Sequence, residues 1–308
     1  GLGIRDIPLE LPALGFALGI SLLTGLLFGI VPALRSASDS IFHDLGSGTR
    51  TTDARSTSYM RNGLVVVQVA LSVMLLIGAG LLVRSFVQLT NVDPGFRADH
   101  LLTGMVVLPP GQYTESSQYT RFYSQLQDDL TAIPGVIDVG LINQLPIRNP
   151  YNNVRAWAAK RPPTESNRAR TAYTRTVLPG YFQTMEMPII SGRAILNSDG
   201  EESDPVLVIN QTMAERLFPG EDPVGDRVSV DMGGRGEVNF VVIGVIGDAR
   251  LQRLGQEPGM AMYHSFYQFP RSIMRLAIRT RSEPTDFTGA VREAVWRQDR
   301  DVPVEGLT

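Results

Sequence analysis

The sequence contains no cysteine. That excludes a disulfide framework, a thiol nucleophile and any metal site built on thiolates. Lysine is almost as scarce: Lys160 is the only one, and it follows Ala158-Ala159 and precedes Arg161. A P-loop needs a lysine after a glycine-rich turn to reach the phosphates, so no nucleotide-binding loop of that kind is present. The histidines are His43, His100 and His264, too widely spaced for a His-based zinc motif. No G-x-S-x-G nucleophile turn occurs. Neither sign of charge dominates, with a net charge of −3, so there is no electrostatic case for nucleic acid. Acidic pairs at Glu201-Glu202, Glu221-Asp222 and Asp128-Asp129 read as solvated turns and a polar helix face. The run Ile243-Gly244-Val245-Ile246-Gly247-Asp248 has the wrong glycine spacing for a dinucleotide loop and reads as a turn closing a buried strand. No enzyme activity, catalytic residue, metal or cofactor is expected.

The apolar residues are concentrated at one end. Leu11 to Leu34 carries no charge over 24 residues, and Gly63 to Val83 none over 21. As a helix the first run would extend about 36 Å, enough for a hydrocarbon core of about 30 Å. Both are expected to be transmembrane helices. Arg35, Arg50, Arg55 and Arg61 lie between them, against Arg5 alone before the first, which puts the connection in the cytoplasm and the long C-terminal region outside. Gly15, Gly19, Gly25 and Gly29 form two small-xxx-small pairs, which suit close helix packing or reflect ordinary glycine usage in membrane helices. Gln68 and Ser72, one turn apart, mark a face of the second span that is expected to meet protein. The chain opens on Gly1 rather than Met and reads as an internal fragment of a longer protein.

Beyond Val87 the pattern changes to short strands and amphipathic helices. Leu101–Leu108 reads as a strand. Ser117–Ile133 reads as a helix, with Tyr119, Phe122, Tyr123, Leu126, Leu130 and Ile133 on one face. Val136–Ile142 follows as a strand. A second β–α–β unit comprises Met274–Thr280, Thr285–Gln298 with Phe287, Val291, Ala294 and Val295 inward, and a strand from Val302. Between them Pro205–Ile209 and Val238–Ile246 read as strands, Gln211–Phe218 as a helix, and 161–170 as an exposed loop. The expected fold is a membrane protein with two transmembrane helices and an α+β extracytoplasmic domain, in which one α+β subdomain is inserted between two β–α–β units.

Several segments together resemble the FtsX-like permeases, more closely the MacB type with its periplasmic core domain. The carriers are Thr24 to Arg35, Arg61 to Ser72, Gly78 to Phe86, Val92-Asp93-Pro94-Gly95-Phe96, Pro179-Gly180-Tyr181-Phe182, Ser191-Gly192-Arg193, Phe218 to Gly225 and Val245-Ile246-Gly247-Asp248. The first resembles the last transmembrane helix of one FtsX-like unit (1–35). After a cytoplasmic linker (36–62), residues 63–90 resemble the first helix of the next. The remainder, 91–308, resembles a periplasmic core domain, with porter-like parts at 91–150 and 270–308 and an inserted subdomain at 151–269. The layout is similar to duplicated orphan permeases of acidobacterial type. The resemblance implies a multi-pass protein of the bacterial inner membrane and a separate ABC ATPase subunit as partner. It also implies a homodimer or pseudo-dimer through the duplicated permease units, and export by mechanotransmission. An alternative is a non-transporting regulator whose outer domain binds and activates an envelope enzyme.

Overall fold

The computed structural model describes residues 15, 18–22, 24–25, 53–90, 93–146, 153–164, 169–251 and 257–308. The chain divides into two units, a helical one ending at Thr90 and a domain running from Asn91 to Thr308.

The helical unit is dominated by α1 (Asp53–Thr90), a single helix of 38 residues. It starts ten residues before the uncharged run, inside the stretch read above as linker. No proline interrupts it, and its glycines are Gly63, Gly78 and Gly80. Within it Val65–Val87 is apolar enough and long enough to cross a bilayer, with a mean hydropathy of 2.5 and none of that window buried in the protein. Most of the first apolar run lies outside the described residues. Of that first run, residues 15, 18–22 and 24–25 are helical and exposed. Among the described residues one helix thus meets the spanning criterion.

In the domain, β1 (Leu101–Val107), α2 (Ser116–Thr131) and β2 (Val136–Ile142) form the first β–α–β unit. The second is β10 (Ile273–Thr280), α5 (Thr288–Gln298) and β11 (Val304–Glu305). They interleave: the strand order is β11-β1-β10-β2 and every neighbouring pair is antiparallel. Each helix therefore joins two parallel strands with one strand of the other unit between them, a split β–α–β arrangement. Both helices cover one face of this sheet. Phe122, Tyr123, Leu126 and Leu130 of α2 and Val291, Ala294 and Val295 of α5 pack on Leu102, Val106, Leu141, Met274, Leu276 and Ile278. Each large apolar side chain so buried contributes about 1.5–3 kcal/mol. The Gln118 amide oxygen accepts from the Glu115 backbone N–H (3.0 Å) and holds the start of α2. The expected helix at 285–298 opens as a 3₁₀ turn, Pro284–Phe287, where proline fits the first turn.

The remaining strands are β3 (Asn153–Ala158), β4 (Arg170–Val177), β5 (Ile189–Gly192), β6 (Val206–Asn210), β7 (Arg227–Asp231), β8 (Glu237–Ile246) and β9 (Ala261–Ser265). Two short helices, α3 (Tyr181–Thr184) and α4 (Gln211–Leu217), lie among them. The pairings β4–β3–β7–β8–β6–β9 return to β4 through a parallel β4–β9 ladder, closing a six-stranded barrel. Closure removes free edges. Ala156, Ala158, Ala172, Leu207, Ile209, Val228, Val230, Phe240 and Met262 form its apolar filling. The sheet joins the barrel through β2 and β4 at the pair Ile142↔Val177. The second face of the sheet, carrying Ala277, packs against Tyr181, Phe182 and Met185 around α3, together with the barrel residues Val208, Ile246 and Tyr263.

Candidate functional site

The segment that follows α1 in sequence is where the sequence motifs converge. Asp93 accepts the Gly95 N–H on its side chain (2.8 Å), making a tight Asx turn. Gly95 has φ +79°, and a Cβ there would lie 1.9 Å from the carbonyl oxygen of Asp248. Only glycine permits both the dihedral and the approach. The carbonyl of Pro94 accepts the Arg250 N–H (2.9 Å), and that of Met185 accepts the Arg97 N–H (3.1 Å). Phe96 packs on the cluster containing Phe182, Met185, Ile246 and Leu251.

Arg279 completes the attachment. It is 7% exposed and lies on the second face of β10. Its Nε donates to the Thr184 carbonyl, Nη1 to that of Asp99 and Nη2 to that of Arg97, each at 2.9 Å. The Glu186 carboxylate lies 3.3 Å from Nη1. One guanidinium thus ties the leading segment to the end of α3.

The other motifs have structural roles. Asp248, at the end of the glycine run, accepts from the Asn210 side-chain amide, the Thr212 N–H (3.0 Å) and the Thr212 hydroxyl (2.7 Å). Asn210 in turn accepts from the Met213 N–H (3.1 Å) as the N-cap of α4. The glycine-aspartate pair therefore closes β8 and anchors a helix. Gly192 has φ +71°, and a Cβ there would sit 2.3 Å from the Ile243 carbonyl oxygen. Arg193 forks onto Asp199 at 2.7 and 2.8 Å. Burial would raise the Asp199 carboxyl, but Arg193 and the Leu196 N–H outweigh it and hold the group below its usual range. Tyr181 and Phe182 are buried, and Glu221 pairs with Arg161.

Among the described residues no group of three or more His, Asp or Glu could hold a metal ion. His100 is exposed, with Nδ1 3.4 Å from the Ser282 carbonyl oxygen, and His43 lies outside the described residues. His264 sits inside the barrel, 1% exposed, stacked on Phe240 with its Nε2 3.1 Å from the Thr174 hydroxyl. Burial, assisted by the nearby charge of Arg271, pushes its pKa from 6.5 down to about 3. The folded ring stays neutral where the unfolded one takes up a proton, so its contribution is complete above pH 6.5 and is lost as pH falls toward 3. A urea-stability series should therefore decline below pH 6.5, by up to about 1.4 kcal/mol per pH unit from this proton alone. His264→Gln, which keeps a hydrogen-bonding side chain but does not titrate, should flatten the decline between pH 6.5 and 5. An unchanged slope would remove His264 as its source.

Arg175 on β4 is fully buried. Its Nη1 donates to the Thr174 carbonyl (2.9 Å), while Nε and Nη2 have no hydrogen-bond partner among the described residues. Burial lowers its pKa, and the neighbouring Tyr263 counters part of that. Sequence reading missed Arg175 and Arg279. The signal was an arginine inside an otherwise apolar or small-residue strand, where charged side chains are rare unless paired.

The packing residues expected in the spans are placed in part. No atom lies within 4 Å of a Cβ built on Gly15, Gly19 or Gly25, and Gly29 lies outside the described residues. Gln68 and Ser72 are exposed on α1, and the Ser72 hydroxyl donates back to the Gln68 carbonyl (2.8 Å), as hydroxyls in helices do.

A family model described as the MacB-like periplasmic core domain matches residues 63–295. A macrolide export ATP-binding/permease protein MacB from Rhodospirillum rubrum is 38% identical over 80 residues, which cover 26% of this chain and 12% of that protein. The chain thus spans about an eighth of that curated relative's length. Two solved structures are similar at low identity. The periplasmic region of MacB from Actinobacillus actinomycetemcomitans has 14% identity and a TM-score of 0.45, covering 71% of this chain and 94% of that one. The extracellular domain of the noncanonic ABC-type transporter YknZ from Gram-positive bacteria has 17% identity and a TM-score of 0.40, covering 65% and 93%. With the match running from the apolar helix through α5, the chain belongs to the MacB-like periplasmic core domain family, of FtsX/MacB-type permeases.

Proposed function

We propose that the chain is part of a permease subunit of an ABC-type transport or mechanotransmission complex, coupling a separate ATPase to its outer domain for export. The observation that carries this reading is the uncovered apolar helix Val65–Val87, continuous to Thr90 and followed three residues later by the pinned segment that starts at Asp93. At about 1.5 Å per residue such a helix crosses a bilayer core of about 30 Å. A displacement of α1 would reach the domain through Asp93–His100, where Arg250, Met185 and Arg279 hold the backbone.

In this reading Leu11–Leu34 is a second span of a multi-pass inner-membrane protein, and the arginine-rich connection is cytoplasmic. Residues 91–308 are periplasmic, with porter-like parts at 91–150 and 270–308 and an insertion at 151–269. Gly15, Gly19, Gly25, Gly29, Gln68 and Ser72 pack against further helices, in a dimer or pseudo-dimer of permease units. The lack of cysteine offers a direct test. In spheroplasts a membrane-impermeant maleimide should label Glu202→Cys and leave Arg50→Cys unlabelled until the membrane is permeabilised. Equal labelling of the two would overturn the topology. Co-purification of an ATPase with the full-length protein tests the coupling; export unaffected by loss of every associated ATPase would sink it.

A further inference from the structure

Arg175 is set in the apolar core that joins the barrel to the second face of the sheet. On β4 it lies between Tyr173 and Val177, on the row that faces this core, and in the parallel ladder it is in register with Tyr263. Its side chain is fully buried. A guanidinium is a planar fork of N–H donors that keeps its charge at any ordinary pH. In Arg175 Nη1 is used: it donates to the Thr174 carbonyl (2.9 Å), which restrains the plane. The edge formed by Nε and Nη2 is left open, for neither atom has a partner among the described residues. Those two donors run parallel and are a pair with which arginine grips an anion side-on.

The open edge has no countercharge in the protein. Among the described residues no carboxylate forms an ion pair with Arg175. Asp199 is the buried carboxylate among them, and Arg193 already holds it at 2.7 and 2.8 Å. The charged neighbour that acts on Arg175 is Arg275 of β10, which is positive. The other groups that act on it are the phenols of Tyr263, Tyr181 and Tyr173. Tyr181, at the start of α3, is buried too, and its hydroxyl has no hydrogen-bond partner among the described residues. A buried charge without a partner is among the costliest features a core can hold.

We propose that the Nε–Nη2 edge of Arg175 and the Tyr181 hydroxyl bind a small monovalent anion of the class of chloride, inside the junction between barrel and sheet. Nε and Nη2 can only donate, and the Tyr181 hydroxyl can donate, so the occupant must accept. The guanidinium charge is uncompensated, so the occupant must be negative. A water would take the hydrogen bonds and leave the charge as it is. The surrounding cluster is apolar, with Ile142, Val177, Ala261 and Ala277. A multiply charged oxyanion such as sulfate would hold most of its oxygens against such groups, unpaired. Bound there, a single small anion bridges β4 of the barrel and α3 beneath the sheet, so its occupancy strengthens the junction.

The test reads the stability of the full chain in a neutral detergent, with chloride exchanged for gluconate at constant ionic strength. Gluconate is too large for a closed site. Once chloride is near saturation, each tenfold rise should raise the folding constant by about tenfold. Arg175→Met keeps a long apolar side chain and removes the charge and its donors together, so it should fold and lose this response. Tyr181→Phe should keep the response but need several-fold more chloride. Crystals of the unaltered full chain grown in bromide should show an anomalous peak at the Nε–Nη2 edge, a result that depends on no variant folding. The proposal fails if chloride and gluconate give equal stability, or if the methionine variant responds as its parent does. It also fails if Tyr181→Phe needs no more chloride than its parent, or if the bromide crystals hold only a water at that edge.

Discussion

Replacing Gly95 by alanine should lower the stability of the domain by about 3 kcal/mol, because two costs act at one atom. The first is the backbone: φ +79° lies in the left-handed region, which costs a residue with a Cβ about 1–2 kcal/mol. The second is the approach, since the new Cβ would stand 1.9 Å from the Asp248 carbonyl oxygen. That oxygen belongs to backbone held in place by the Asp248 side chain through Asn210 and Thr212, so it cannot step aside cheaply. Gly111→Ala is the control, for nothing lies within 4 Å of its built Cβ and its φ is ordinary; it should stay within about 0.5 kcal/mol. Urea unfolding followed by tryptophan fluorescence reads both, since Trp157 and Trp296 lie in the domain. If alanine at 95 proves as harmless as at 111, the leading segment does not meet the end of β8 as described.

Arg279→Met should be nearly as costly, about 3 kcal/mol, and the reason is what it leaves behind. Methionine fills much of the space but abandons the carbonyls of Thr184, Asp99 and Arg97. The Thr184 carbonyl is in a buried bond, and an acceptor stranded there costs about 1–3 kcal/mol; those of Asp99 and Arg97 are part-buried and lose less each, since water reaches them. The ion pair to Glu186 decides little, because that carboxylate is 44% exposed and water screens it. Glu186→Gln should therefore cost under about 1 kcal/mol, and Arg279→Lys should fall between the two, since an ammonium cannot reproduce the planar fork. Hydrogen exchange sharpens the test: in Arg279→Met the Arg97 amide, which donates to Met185, should lose protection while the ladder between β1 and β10 keeps its own. Loss of protection throughout the sheet would mean that Arg279 supports the whole fold rather than this attachment.

Both halves of the Gly95 contact lie inside segments that the sequence marks, whereas nothing marked Arg279. The Asp93-Pro94-Gly95-Phe96 run stands out by its turn chemistry, and the Val245 to Asp248 run by its strand ending in glycine and aspartate. Neither reveals that the two touch, because they are separated by about 150 residues and meet only through the fold. Periodicity was enough to find α2 and α5, whose apolar residues recur every three to four positions and do pack on one sheet face. It was also enough for β1, β2 and β10. It failed at β3, β4, β5, β7 and β9, for which it gave no strand. In β9, Ala-Met-Tyr-His-Ser, all residues are buried, so no alternation shows. In β4 the inward row is Ala172, Thr174 and Thr176, and the outward row includes the buried Arg175. A strand whose polar side chains are the buried ones inverts the usual signal.

The apolar helix, the two helices of the split β–α–β sheet and the resemblance to the permease family were all legible in the order of the residues. Those depend on local hydrophobic spacing and on short motifs, which are properties of neighbouring residues. That the two β–α–β units interleave, that the inserted strands close into a barrel and that Arg279 ties the leading segment to α3 emerged from the fold alone. Strand partners are chosen by burial and pairing across long stretches of chain, and that choice leaves no periodic trace in the residues that make it.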